Sequence, residues 1–245
     1  KGVTTWEGLI KSVRAKVKGT KVKIRLGASS GEWKAMVADE AARTTFAKNI
    51  KTVLEKNKLD GIDLDFEWAE NEKEYKDYSL AILKMREVLG NKYLFSVSLH
   101  PVCYKISKEA IEAVDFISLQ CYGPSPVRFP IEKYCSDIQM VLEYGIPKEK
   151  LVAGVPFYGV TKDNSKKTEA YFNFVQNGLV TSPAQNEVIY QGDTYVFDGQ
   201  DNIRIKTRYA KEQKLKGMMS WDLATDLPLS DSRSLLKTMT EELRE

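Results

Sequence analysis

The segment LDGIDLDFEW, residues 59–68, carries acids at Asp60, Asp63, Asp65 and Glu67 and alternates the last three with Ile62, Leu64 and Phe66. In an extended chain, residues two apart share a face, with Cα atoms about 6.6 Å apart. Asp63, Asp65 and Glu67 would therefore line one face and the three apolar residues the other. Closely spaced carboxylates can do three things. They can form the wet face of an exposed strand, bind a hard cation such as magnesium or calcium, or divide general-acid and charge-stabilising roles between them. The wet-face reading is weakened because acids are poor strand formers and like charges on one face repel.

Other chemistry is scarce in the chain. His100 is its sole histidine, which argues against a histidine metal centre or a Ser-His-Asp triad. Cys103, Cys121 and Cys135 are odd in number and widely spaced, with no C-x-x-C pair, so they read as free thiols. Carboxylates remain the best candidates.

The elements around this segment alternate. KVKIRLGA (21–28), LDGIDLDF, YLFSVSLHP (93–101), VDFISLQCYG (114–123), LVAGVPFYG (151–159) and GMMSWDL (217–223) read as strands. Helical patterns fall between most of them: from about Glu40 to Lys56, through YKDYSLAILKMREVLG, SKEAIEAV and FPIEKYCSDIQMVLEYG, and finally in SDSRSLLKTMTEELRE. Such alternation predicts an α/β fold with parallel pairing. The pattern alone leaves a doubly wound sheet and an eight-stranded barrel both open. LGASSGEW lacks the Lys-Ser/Thr of a phosphate loop, and SLHP, QCYG, PFYG and SWD put polar groups at strand ends, as barrels do. The segment 160–205 breaks the alternation; within it VIYQGDTYVF reads as a hairpin.

Composition agrees with a globular α/β chain: 245 residues, 42% hydrophobic and 29% charged. The 37 basic and 34 acidic residues leave a net charge of +3, with no basic run interleaved with aromatics, so no nucleic-acid partner is expected. No apolar stretch has the roughly 18 residues needed to span a bilayer, and the amphipathic start KGVTTWEGLIKSVRAKVKG has no signal-peptide core.

The acidic segment resembles the D-G-x-D-x-D-x-E signature of glycoside hydrolase family 18, the chitinases and their relatives, with Asp60, Gly61, Asp63, Asp65 and Glu67 at every fixed position. KVKIRLGASSGEW is similar to that family's third strand. VDFISLQCYG resembles the sixth, LVAGVPFYG the seventh and KGMMSWDLATD the eighth. The resemblance implies a TIM (β/α)8-type barrel with its third to eighth strands in this chain, one catalytic domain over residues 1–245 and a short insertion, 160–205, between the seventh and eighth strands. Lys1 to Thr20 leave no room for the first two strands, so the reading predicts an N-terminally incomplete barrel with further residues upstream.

The same resemblance implies a retaining, substrate-assisted hydrolysis of β-1,4-linked N-acetylglucosamine polymers, one of the exceptions to the two-carboxylate scheme. Glu67 is then the general acid and base. Asp65 holds the acetamide nitrogen, and Asp63 shares a proton with Asp65. Asp60 and Gly61 order the motif's backbone. Tyr122 donates to the acetamide oxygen beside Gln120, and Trp221 floors the reacting sugar. Trp33, Trp68 and Tyr158 are candidates for flanking subsites. The resemblance implies no cofactor and no metal. It implies a monomer, and a secreted, periplasmic or cell-surface location whose signal is not in this chain. N-glycan cleavage and sugar binding without catalysis are the alternatives. The sequence departs from the pattern in several places. Trp68 and Ala69 replace Tyr-Pro after the glutamate, and Gly123 replaces an aspartate. Arg25 and Ala28 replace the serine and second glycine of the third-strand motif.

Overall fold

The computed structural model describes residues 5–29 and 31–245. Residues 1–4 of the amphipathic N-terminal segment and residue 30 of LGASSGEW lie outside the described residues. Two compact units divide the chain, one made of Lys1–Leu99 and Lys105–Ile117, the other of His100–Tyr104 and Ser118–Glu245.

The first unit opens with helix α1 (Trp6–Lys16), whose N-terminus is capped by the Thr5 hydroxyl accepting from the Gly8 amide. Strand β1 (Arg25–Ala28) follows, then helices α2 (Trp33–Ala38) and α3 (Glu40–Asn57). Strand β2 (Gly61–Leu64) leads into α4 (Glu72–Leu89), β3 (Leu94–Leu99) and α5 (Lys108–Ala113). β1, β2 and β3 pair in parallel, with Gly27, Asp63 and Ser96 side by side. Gly61 is required by that pairing, because a Cβ there would lie 2.0 Å from the Leu94 carbonyl oxygen. Caps fix the helix starts: the Asn71 side chain accepts from the Glu74 amide, and Ser107 accepts from Ala110.

Burial alternates along the acidic segment as its pattern predicts. Ile62, Leu64 and Phe66 are buried, Asp63 and Asp65 half-buried, and Glu67 exposed. The Phe66 ring stacks on Trp33 of α2 at 5.3 Å between centroids and tilts against Tyr78 of α4 at 5.4 Å. Helices thus cover the apolar face and leave the acids on the other.

Strand β4 (Phe116–Leu119) carries the chain from the first unit into the second. There α6 (Ile131–Tyr144) ends on Gly145 in the left-handed conformation, at φ 112°. Strand β5 (Leu151–Pro156) pairs in parallel with a later strand, β10 (Gly217–Trp221). Between them, β6 (Tyr158–Thr161), β7 (Thr168–Ala170), β8 (Glu187–Tyr190) and β9 (Asp193–Val196) form an antiparallel sheet in the order β7-β6-β9-β8. Helix α7 (Tyr171–Gln176) lies in sequence between β7 and β8; α8 (Gln200–Glu212) precedes β10, and α9 (Leu235–Arg244) closes the chain.

The hairpin expected in VIYQGDTYVF is the β8–β9 pair. Its turn is Gln191-Gly192, both at positive φ, rather than the Gly-Asp step. LVAGVPFYG, read as one strand, is two: β5 stops at Pro156, and Tyr158 begins β6 of the antiparallel sheet. The amide of Phe157, between them, donates to the Trp221 carbonyl at 2.8 Å. Helices α2 and α8 were not anticipated. Among the described residues, no helix is long and apolar enough to cross a membrane.

Candidate active site

In the first unit, regular β2 pairing stops at Leu64, and the Asp65 amide extends it by donating to the Ala28 carbonyl at 2.9 Å. Asp60 orders the strand's entry: its Oδ2 accepts from the Ile24 amide at 2.8 Å, and Lys23 Nζ stands 3.5 Å from Oδ1. Asp63 is held from the neighbouring strands. The Ser98 hydroxyl donates to Oδ2 at 2.7 Å, and the Ser96 hydroxyl donates to Oδ1. Arg25 Nη1 lies 3.6 Å from the same Oδ1 and donates to the Ser96 oxygen. Glu67 projects its side chain into solvent while its backbone carbonyl accepts from Trp33 Nε1 at 3.1 Å. The Glu67–Trp68 peptide is cis.

Trp33 corrects its sequence reading. Expected at a sugar subsite, it is 1% exposed. Its ring is packed against Phe66 and Tyr78, so it has no free face to offer a sugar. It supports the backbone of Glu67 instead. Trp68 is half-buried.

Gln120, Tyr122, Tyr158 and Trp221 all fall in the second unit. Gln120 and Tyr122 are buried, and Tyr158 is half-buried. The Tyr122 hydroxyl donates to the Met219 sulfur at 3.5 Å, and its ring meets Tyr158 edge-on at 6.4 Å. The Tyr122 ring also needs Gly154 beneath it, since a Cβ there would come 2.9 Å from Cε1. Trp221 is 54% exposed at the end of β10, which leaves its indole accessible rather than part of a core. The Trp221–Asp222 peptide is cis.

Sequence reasoning gave no supporting role to four residues: Arg25, Ser96, Ser98 and His100. A signal existed for three of them, because Ser96, Ser98 and His100 alternate along YLFSVSLH and so belong to the polar side of that strand. His100 is buried, its Nδ1 accepting from the Val102 amide at 3.2 Å. An amide can only donate, so the ring proton sits on Nε2 and is given to the Tyr122 carbonyl at 3.0 Å. Burial, reinforced by the Arg128 charge, pushes the imidazole pKa down from 6.5 to about 4.

Between those values the unfolded chain binds a proton that the folded one refuses, so stability falls as pH drops from 6.5 through 4. We expect the urea midpoint to fall over this window by the equivalent of about 2 kcal/mol. The His100→Gln variant should show a flatter dependence. An equal slope in both proteins would remove His100 as the cause.

Among the described residues, no three or more His, Cys, Asp or Glu side chains are grouped so as to hold a metal ion.

Comparison with known proteins adds an independent line. A model of the glycosyl hydrolases family 18 matches residues 6–226. A probable chitinase 2 of Drosophila melanogaster is 23% identical over 273 residues, covering 84% of this chain and 56% of the relative. The chain spans about half the length of the curated relatives it matches. Among solved structures, a chitinase from Bacteroides thetaiotaomicron superposes with a TM-score of 0.85 at 21% identity, covering 98% of this chain and 82% of its own. A chitinase-like agglutinin from Robinia pseudoacacia reaches 0.80 at 18% identity, covering 97% and 85%. These likenesses show a TIM-barrel-type α/β fold. With the family match extending over most of its residues, the chain belongs to the glycosyl hydrolases family 18.

Proposed function

We propose that this chain is a glycosidase that cleaves β-1,4-linked N-acetylglucosamine chains with retention, using the substrate's own acetamide as nucleophile. The observation that carries the reading is the graded exposure of one acidic face: Asp63 and Asp65 half-buried, Glu67 in solvent at its end, and the intervening residues packed beneath helices. A general acid must reach the glycosidic oxygen, whereas the carboxylate that steadies a developing cation works best partly screened from water. The segment supplies both.

In the first step, the acetamide carbonyl oxygen attacks the anomeric carbon as Glu67 gives its proton to the departing glycosidic oxygen. The C–O bond breaks, and a cyclic oxazolinium forms. Asp65 accepts from the acetamide N–H and offsets the positive charge. In the second step, Glu67 takes a proton from water while the water oxygen attacks the anomeric carbon, which opens the ring and restores the acid. Family resemblance assigns Tyr122 to the acetamide oxygen, Gln120 beside it, and Trp221 and Tyr158 to sugar contacts. The exposed indole of Trp221 and the hydroxyl of Tyr122, which donates to the weakly accepting Met219 sulfur, are compatible with those roles. In this reading β1 to β5 and β10 correspond to the family's third to eighth strands within one catalytic domain, and residues 160–205 to an insertion between the last two. Such a substrate agrees with the secreted, periplasmic or cell-surface location that the family resemblance implies.

The test compares tetra-N-acetylchitotetraose with an N-glycosylated peptide and follows the product anomer by NMR at early times. We expect cleavage of the chitin oligomer with the β-anomer formed first. Cleavage confined to the glycopeptide would move the substrate to N-glycan cores, and initial α-anomer would exclude the acetamide pathway.

A further inference from the structure

In the family's third-strand motif the position of Arg25 is a serine, a short neutral donor. Here the structure places a guanidinium there, tethered on three sides. Nη1 lies 3.6 Å from Asp63 Oδ1, the same group donates to the Ser96 hydroxyl, and the guanidinium carbon stands 4.6 Å from the centroid of the Phe116 ring. The Arg25 side chain is 26% exposed and that of Asp63 17%. That differs from the chain's surface pairs, such as Lys73 with Asp77, where the lysine is 74% exposed and its charge is screened by water. With Ser96 on Oδ1 and Ser98 on Oδ2, both Asp63 oxygens are engaged, and turning the carboxylate would break one or both of these bonds.

We propose that Arg25 is a positioning residue for the reaction, fixing the Asp63 carboxylate and offsetting its charge where it bears on Asp65. The inference rests on the glycosidase reading of this face. Three carboxylates two residues apart repel one another. A fixed cation beside the innermost one lessens the repulsion felt by Asp65 while Asp65 steadies the cationic intermediate. Asp63 then works as an anchored anion that accepts from both serines, in place of the proton-sharing partner that the family pattern implies. A serine could fix the geometry but not supply the charge. Arg25 acts through Asp63 and touches no sugar, so its effect belongs on kcat rather than KM.

The experiment measures kcat and KM on a fluorogenic chitin oligomer for the whole chain and for Arg25→Lys, Arg25→Met and Arg25→Gln, with Arg25→Met also made in an Asp63→Asn background. Removing the charge should lower kcat about tenfold with KM within about twofold, and lysine should keep kcat within about threefold of wild type. In the Asp63→Asn background, Arg25→Met should cost nothing further. The inference is overturned if Met and Gln leave kcat intact, if Lys is as damaging as Met, or if the losses multiply in the double variant. Should Arg25→Met fail to fold, the contrast between Gln and Lys decides by itself, since Gln keeps a polar donor without the charge and Lys keeps the charge without the guanidinium. A wild-type protein inert on every N-acetylglucosamine substrate would remove the glycosidase reading and this inference with it; an active enzyme indifferent to Arg25 removes only the inference.

Discussion

Replacing Glu67 by glutamine should lower kcat on a chitin oligomer by about 10²- to 10⁴-fold and leave KM within a few-fold of wild type. Glutamine matches the side chain in size and can still hydrogen-bond the glycosidic oxygen through its amide, so binding persists. What it lacks is a proton to give in the first step and a base to receive one in the second. The change should be silent in the fold. The Glu67 side chain is exposed, and the tether at this point is its backbone carbonyl, which accepts from Trp33 Nε1 whatever the side chain is. Equal urea midpoints alongside the lost turnover would therefore assign the loss to chemistry. Activity within tenfold of wild type would show that another group is the acid.

The second large effect concerns stability. Lys206 and Asp198 form an ion pair with both side chains at 0% exposure. Lys206 Nζ donates to the Asp198 oxygens at 2.8 and 2.6 Å and to the Phe129 carbonyl at 2.9 Å, and it stands 5.4 Å from the centroid of the Tyr134 ring. Asn202 donates to the same carboxylate at 3.2 Å. Asp198→Ala leaves an ammonium out of water with only a carbonyl and an aromatic face, and we expect a loss of about 3–5 kcal/mol in urea denaturation. Taking away both charges, with Asp198→Ala and Lys206→Met together, should cost distinctly less than Asp198→Ala alone. Methionine fills similar volume, and no charge is stranded. A double variant as unstable as the single one would mean that the pair matters through packing rather than charge.

Much of the first unit was legible along the chain. Side chains alternate with period two in a strand, so Asp63, Asp65 and Glu67 separate from Ile62, Leu64 and Phe66 by local geometry alone. Helix ends were equally local. Gly145, in the left-handed region, closes the helix that FPIEKYCSDIQMVLEYG predicts, and Gly90 caps the one before β3. The α8 segment QDNIRIKTRYAKE escaped notice for a physical reason. Its buried face carries Gln200, Lys206 and Thr207 beside Ile203 and Ala210, and the polar members hide the helical period because the partners of Gln200 and Lys206, Thr238 and Asp198 among them, cannot be seen in the sequence.

Sequence by itself thus determined which carboxylates are candidates for chemistry and which way each faces on its own strand, because both follow from residue type and backbone period. Tertiary structure decided what surrounds them. It brings Arg25, 38 residues from Asp63 in the numbering, to 3.6 Å from that carboxylate. It buries Trp33 under the strand where a sugar platform was expected, and it turns the chain after Pro156 from a parallel strand into an antiparallel one. Each of these depends on contacts between segments distant in sequence, where packing and charge pairing outweigh any local preference.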